Sequence, residues 1–127
     1  MQRKIEFRGK HIDTGEWYFG CLLEGEDTIF IRDKVRHEKH GYLTHPVIPE
    51  TTGQFTGLKD KNGVDIYEGD IIKDNNDIII VLWNDKYAGF TLHCENWACL
   101  AFFYEYLDVK KVEVIGNIHD NPELLNK

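Results

Sequence analysis

The sequence has no long apolar run: the longest, Trp97 to Tyr104, spans eight of its 127 residues. A bilayer-crossing helix needs roughly 20 such residues, so no membrane contact of that kind is expected. The basic start, MQRKIEFRGKHID, is not followed by an apolar stretch, so no secretory signal is expected either. Cysteine is scarce. Cys21, Cys94 and Cys99 are odd in number and lack secretory surroundings, which implies reduced thiols in a cytoplasm. Positive charge is in deficit, with 15 Lys and Arg against 22 Asp and Glu and a formal net charge of −7. That balance argues against broad, sequence-independent binding of nucleic acid, which runs on Lys and Arg neutralising phosphates.

Several enzyme signatures are missing as well. There is no Gly-rich phosphate loop and no nucleophile elbow. Nor is there a calcium loop with ligands at alternating positions and a terminal bidentate Glu.

What the chain does contain is ample apolar material. Apolar residues make up 42% and aromatics 13%, enough for a real core, and the charged fraction of 29% suits a globular surface. Charge is polarised along the chain. Arg3, Lys4, Arg8 and Lys10 face only Glu6 near the start, and Arg32, Lys34, Arg36 and Lys39 form a second basic cluster. Between residues 65 and 85 the balance reverses, with Asp65, Glu68, Asp70, Asp74, Asp77 and Asp85 against Lys73.

The pattern predicts a mostly β chain of small twisted sheets or barrels in two lobes, with short helices. KIEFRGKHID alternates apolar and polar residues with the period of a half-buried strand. DTGEW supplies a turn in which Asp13 can bond the backbone, then WYFGCLLE and TIFIR complete a three-stranded meander. Residues 33–50 are polar, contain Pro46 and Pro49, and read as an irregular connection. They divide the chain into an N-terminal lobe, 1–50, and a barrel-like C-terminal lobe, 51–127. In the second lobe Asn62-Gly63 predicts a type I′ hairpin, because both positions of that turn require positive φ. Glu68-Gly69-Asp70 turns the chain again, and DIIIVLW reads as a strand buried on both faces. The aromatic run around 97–106 has helical spacing at Trp97, Leu100, Ala101, Tyr104 and Leu107 and predicts a short buried helix. KKVEVIGNI predicts a last strand, and NPELL a short C-terminal helix with Asn121 as N-cap and Pro122 at its first position.

Four blocks, FRGKHIDTGEWYFG, TTGQFTGLKDKNGVDIYEGDII, VLWNDKYAGF and VEVIGNIHDNPELL, kept in order from about residue 4 to residue 125, resemble the YopX-like proteins of phages and prophages. The resemblance implies one mostly β domain overall, carried on a mobile element in a Gram-positive bacterial host and self-associating. It supplies no catalytic residues, since the family has no established activity. Segments 36–46 and 97–106 lie outside the family pattern.

The chemistry-bearing residues point mainly to structure. His37, His40 and His45 could offer three imidazoles to zinc, but histidines in a polar loop are usually solvated. Cys94 and Cys99, with His93, form a loose set whose spacing is wide for a metal. Cys94 and His93 are strand neighbours, so they point to opposite faces and cannot form an activated thiolate pair. Asp65, Glu68 and Asp70 have no fixed mutual separation for acid–base work and read as turn residues. No catalytic, cofactor-binding or metal residue is therefore assigned. Trp17, Tyr18, Phe19, Trp97, Phe102, Phe103 and Tyr104 are many rings for one chain, and imply a second layer or a partner. The reading is a non-enzymatic, self-associating module that binds a phage or host protein, with a small nucleic-acid-binding barrel as the alternative and a metal-dependent enzyme behind it.

Overall fold

A computed structural model of the chain describes residues 3–86, 88–94, 101–102 and 111–125. Eleven strands are present among them: β1 (Phe7–Lys10), β2 (Trp17–Glu24), β3 (Ile29–Arg32), β4 (Thr44–Val47), β5 (Gly53–Lys59), β6 (Asp65–Tyr67), β7 (Asp70–Asp74), β8 (Asp77–Asn84), β9 (Gly89–Cys94), β10 (Ala101–Phe102) and β11 (Glu113–Asn117). One sheet has the order β4-β3-β2-β1-β5-β6 and the other β10-β9-β8-β7-β11. The strand pairings among the described residues are antiparallel, and the mostly β expectation holds. The chain divides into two compact units, Met1–Phe55 and Thr56–Lys127, with β5 running across the division.

In the first unit the expected three-stranded meander forms, and β2 matches WYFGCLLE. Ile31 and Val47 are fully buried on one face of this sheet, where Gly9 meets Val47. A Cβ on Gly9 would lie 2.8 Å from Val47 Cγ2, so only glycine lets the strands approach this closely. The turn after β1 is organised differently from expectation. The His11 imidazole, not Asp13, takes the backbone N–H groups of Asp13 and Thr14 through Nδ1. Segment 33–50 also departs from the irregular connection expected, because it contains β4. Pro46 disguises that strand, yet Pro is tolerated where a strand lies at a sheet edge. Hydrogen bonds from Ile12 N to Pro46 O and from Ile48 N to Lys10 O tie the end of β1 to β4.

In the second unit Ile66, Ile72, Ile79, Val81, Leu92, Cys94 and Val112 form one buried cluster. On β8 only the alternate residues Ile79 and Val81 are fully buried, while Ile78, Ile80 and Leu82 are half-buried. Fully burying each such side chain stabilises by about 1.5–3 kcal/mol, so this cluster dominates the unit's stability.

Three further expectations are corrected here. The barrel-like lobe is an open sheet among the described residues, with β10 and β11 at its two edges. The helix expected across the aromatic run gives way at Ala101–Phe102 to β10, which pairs with Leu92 and Thr91. Residues 97–100 and 103–106 of that run lie outside the described residues. The short C-terminal helix is present with Pro122 at its first position, as a single 3-10 turn, Pro122–Leu125, but Asn121 is not the expected cap, its side chain accepting from Asn117 N instead. Among the described residues no helix is long and apolar enough to cross a membrane.

Candidate functional site

The stretch from Asp60 to Asp70 is held by two carboxylates that accept backbone N–H groups. Asp60 is only 6% exposed. Its Oδ1 accepts from Asn62 N at 2.8 Å and Val64 N at 2.9 Å, and its Oδ2 from Val114 N at 2.9 Å. Burial pushes this carboxyl up, but the three backbone donors and the Lys61 charge outweigh it, and the net direction is down. The loop is therefore not the expected type I′ turn. Gly63 has φ of 80°, whereas Asn62 is absent from the positive-φ residues, and Asp60 directs the geometry. Asp70, 2% exposed, accepts from Tyr67 N at 2.7 Å and closes the second turn. Gly69 between them has φ of 91°, a region costly for side-chain-bearing residues. Asp65 is held by Lys59 at 2.6 Å, and Glu68 is half-buried. The stretch folds the chain, and these carboxylates are not gathered around a common point.

The histidines tell a different story from solvated loop residues. His37 Nε2 lies 2.8 Å from one Asp33 oxygen and His45 Nε2 2.9 Å from the other. His40 is exposed and outside this clasp. Tyr18 stacks on His45 with centroids 3.8 Å apart and an interplanar angle of 12°. Burial raises the Asp33 carboxyl, the hydrogen bonds and charges of His37 and His45 lower it, and the net direction is down. One carboxylate thus pins both ends of segment 33–45. Among the described residues no group of three or more His, Cys, Asp or Glu is placed to hold a metal ion. Cys94 is buried and His93 exposed, so they occupy opposite faces as strand alternation requires. Cys99 lies outside the described residues.

The feature with binding chemistry is the sheet face opposite Ile31 and Val47. Register places Arg8 across from Phe19, Lys10 across from Trp17, and Arg32 across from Cys21, so alternation puts all six on one side. The Arg8 guanidinium lies 4.6 Å from the Trp17 ring centroid, with Lys10 Nζ at 5.8 Å. Arg32 lies 4.7 Å from the Tyr42 ring, and Lys4 5.2 Å from Phe55. Phe19 is 46% exposed and Leu23 40%. Strand pairing has brought basic residues near 3–10 and 32–34 onto one face, where Phe19 and Tyr42 are exposed, Trp17 is half-buried, and Arg8 and Phe55 are buried. Glu6 lies among them, 3.4 Å from Lys4 and 3.9 Å from Lys34.

The family model described as YopX protein matches residues 6–126. The chain belongs to the YopX family. Its fold is also similar to a solved structure, protein EF1440 from Enterococcus faecalis, with a TM-score of 0.60 and 24% identity. That match covers 98% of this chain and 100% of the other. No curated protein matches the chain.

Sequence reasoning missed Asp60, Asp33 and the Tyr18–His45 stack. Asp60 had a local signal, since an Asp two residues before Asn-Gly can accept the loop's backbone donors. Asp33 had none, because its partner His45 arrives through β3–β4 pairing.

Proposed function

We propose that this YopX-family chain is a non-enzymatic, self-associating module of a phage or prophage, acting in the cytoplasm of its bacterial host on a phage or host protein. One observation carries the reading. Strand β2 is apolar on both faces, and Phe19 and Leu23, alternating with Cys21 between them, remain 46% and 40% exposed. Apolar side chains clustered on an open face favour an interface over a solvated surface. The engagement of the titratable groups favours binding over catalysis. Asp33 is occupied by His37 and His45, Asp60 and Asp70 by backbone donors, and Cys94 is buried.

Light scattering at tens of micromolar, an affinity range in which weak homo-oligomers assemble, tests the reading. The wild type should exceed the 14.9 kDa monomer mass, and Phe19→Ser with Leu23→Ser should shift it toward monomer with the circular dichroism unchanged. A wild type that stays monomeric overturns the proposal. A second reading, binding of single-stranded nucleic acid, is favoured by the cations stacked on rings beside exposed Phe19 and Tyr42. The net charge of −7 opposes it, and a low-salt gel shift separates the two.

A further inference from the structure

We propose that Asn62 is a modification site: its side-chain amide is lost to attack by the Gly63 nitrogen, and the product uncovers the outer edge of β11.

The reaction needs an asparagine whose following residue does not shield its own nitrogen, and glycine, with no side chain, shields it least. Asn62-Gly63 is the one Asn-Gly pair in the sequence. The remaining asparagines precede Asn, Asp, Trp, Ile, Pro or Lys, and Pro122 leaves Asn121 without an attacking N–H. Asn62 and Gly63 are both exposed, so water and hydroxide reach the pair. The Asn62 amide is held loosely, its Nδ2 donating to Glu113 Oε2 at 3.5 Å.

The steps balance without an oxidant or reductant. The Gly63 N–H gives its proton to hydroxide, and the nitrogen forms a bond to Asn62 Cγ. The Cγ–Nδ2 bond breaks, and the amide leaves as ammonia with a proton taken from water, which restores the hydroxide. Water then opens the resulting succinimide at either carbonyl. One opening leaves aspartate at position 62, and the other leaves isoaspartate, whose main chain runs through Cβ and Cγ.

The fold sets the rate. Gly63 N donates to Asp60 O at 3.1 Å, and Asp60 Oδ1 accepts from Asn62 N and Val64 N on either side. The attacking nitrogen is released when this loop opens, so the folded chain reacts more slowly than the unfolded one.

The product acts on β11, an edge of its sheet among the described residues. The loop covers that edge through two bonds. Lys61 N donates to Val112 O at 3.1 Å, and Asp60 Oδ2 accepts from Val114 N at 2.9 Å. Either product adds a carboxylate to a net charge of −7 and sets it beside Glu113, two residues from Asp60. Isoaspartate also inserts a methylene into the main chain, so the N–H groups of positions 62 and 64 no longer both meet Asp60 Oδ1. A loosened loop leaves Val112 O and Val114 N unpaired, the condition in which an edge strand pairs with another chain.

The test incubates the full chain at mildly alkaline and mildly acidic pH, folded and in guanidinium chloride, and follows each asparagine by peptide mapping and mass spectrometry. Position 62 should convert first, and faster at the alkaline pH. Conversion should be about tenfold slower folded than denatured, the ratio set by the cost of opening a loop held by a few hydrogen bonds. Asn62→Gln should stop it, because the longer side chain closes its ring far more slowly, and Asp60→Ala should accelerate it severalfold. If Asp60→Ala unfolds, the wild-type ratio of folded to denatured rates decides the gating. Aged wild type, unlike aged Asn62→Gln, should melt lower and exchange the Val114 N–H faster. Conversion of another asparagine first, or a folded chain left intact at position 62 while the denatured chain converts, overturns the site. Equal folded and denatured rates overturn the gating, and a converted chain with unchanged melting and Val114 exchange overturns the uncovering of β11.

Discussion

Asp60→Ala should be a strongly damaging truncation, because it removes a buried loop carboxylate. The Asp60 side chain serves three backbone donors, Asn62, Val64 and Val114, at 2.8 to 2.9 Å. Two of these sit on an exposed loop, where water can replace the lost acceptor. The Val114 N–H is on half-buried β11 and is harder to rehydrate. At about 1 kcal/mol per bond, discounted for the two hydrated donors, the loss is about 2–3 kcal/mol. For a domain of this size that lowers the melting temperature by about 10 °C. Asp60→Asn keeps one accepting oxygen but turns an amide NH2 toward an N–H donor, so about half the loss should remain. The pH dependence is a second handle. The Asp60 carboxyl is held below its ordinary value of 3.8. Its contribution is therefore complete above that value and lost as pH falls through the lower, folded one. Thermal melts of wild type, Asp60→Asn and Asp60→Ala at neutral pH, repeated below pH 3.8, should show a gap that narrows in acid. An Asp60→Ala variant melting within about 2 °C of wild type would refute the assignment of this side chain as the loop's anchor.

The second turn and the histidine clasp give two more expectations. Asp70→Ala should destabilise by about 1 kcal/mol or more and Gly69→Ala by a similar amount, because one removes the Tyr67 N–H acceptor and the other forces a side chain to φ of 91°. Millimolar Ca²⁺ or Mg²⁺ should move neither these variants nor the wild type. A higher melting temperature for Asp70→Ala would mark a repulsive carboxylate site instead of a folding turn. Asp33→Asn should destabilise by about 1 kcal/mol at neutral pH by weakening the bonds from His37 and His45. Asp33 is lowered from 3.8, so its contribution is present above that value and fades as pH falls. A wild-type-to-Asp33→Asn gap that grows below pH 3.8 would contradict this.

Local chemistry by itself determined much of the strand layout. Apolar alternation set β1, apolar runs bounded by polar turns set β2 and β3, and an unbroken β-branched run set β8, because side-chain pattern follows directly from backbone geometry. Gly69 and Asp70 were legible as a turn for the same reason, since the conformation is written in two adjacent residue types. Strand β4 was hidden because Pro46 is excluded from most strands, and only its place at a sheet edge makes it acceptable. The aromatic run had helical spacing, yet pairing with β9 makes Ala101–Phe102 a strand, since β-structure depends on a partner distant in sequence. The same limit applies to the sites. The sequence supplied two basic clusters, a set of histidines and a surplus of rings. Only the β1–β2–β3 register placed Arg8, Lys10 and Arg32 on one face with Trp17 and Phe19. Only the pairing of β3 with β4 carried His45 to Asp33, twelve residues away, because a hydrogen bond of about 3 Å requires a closeness that the pairing of strands, and not the order of residues, provides.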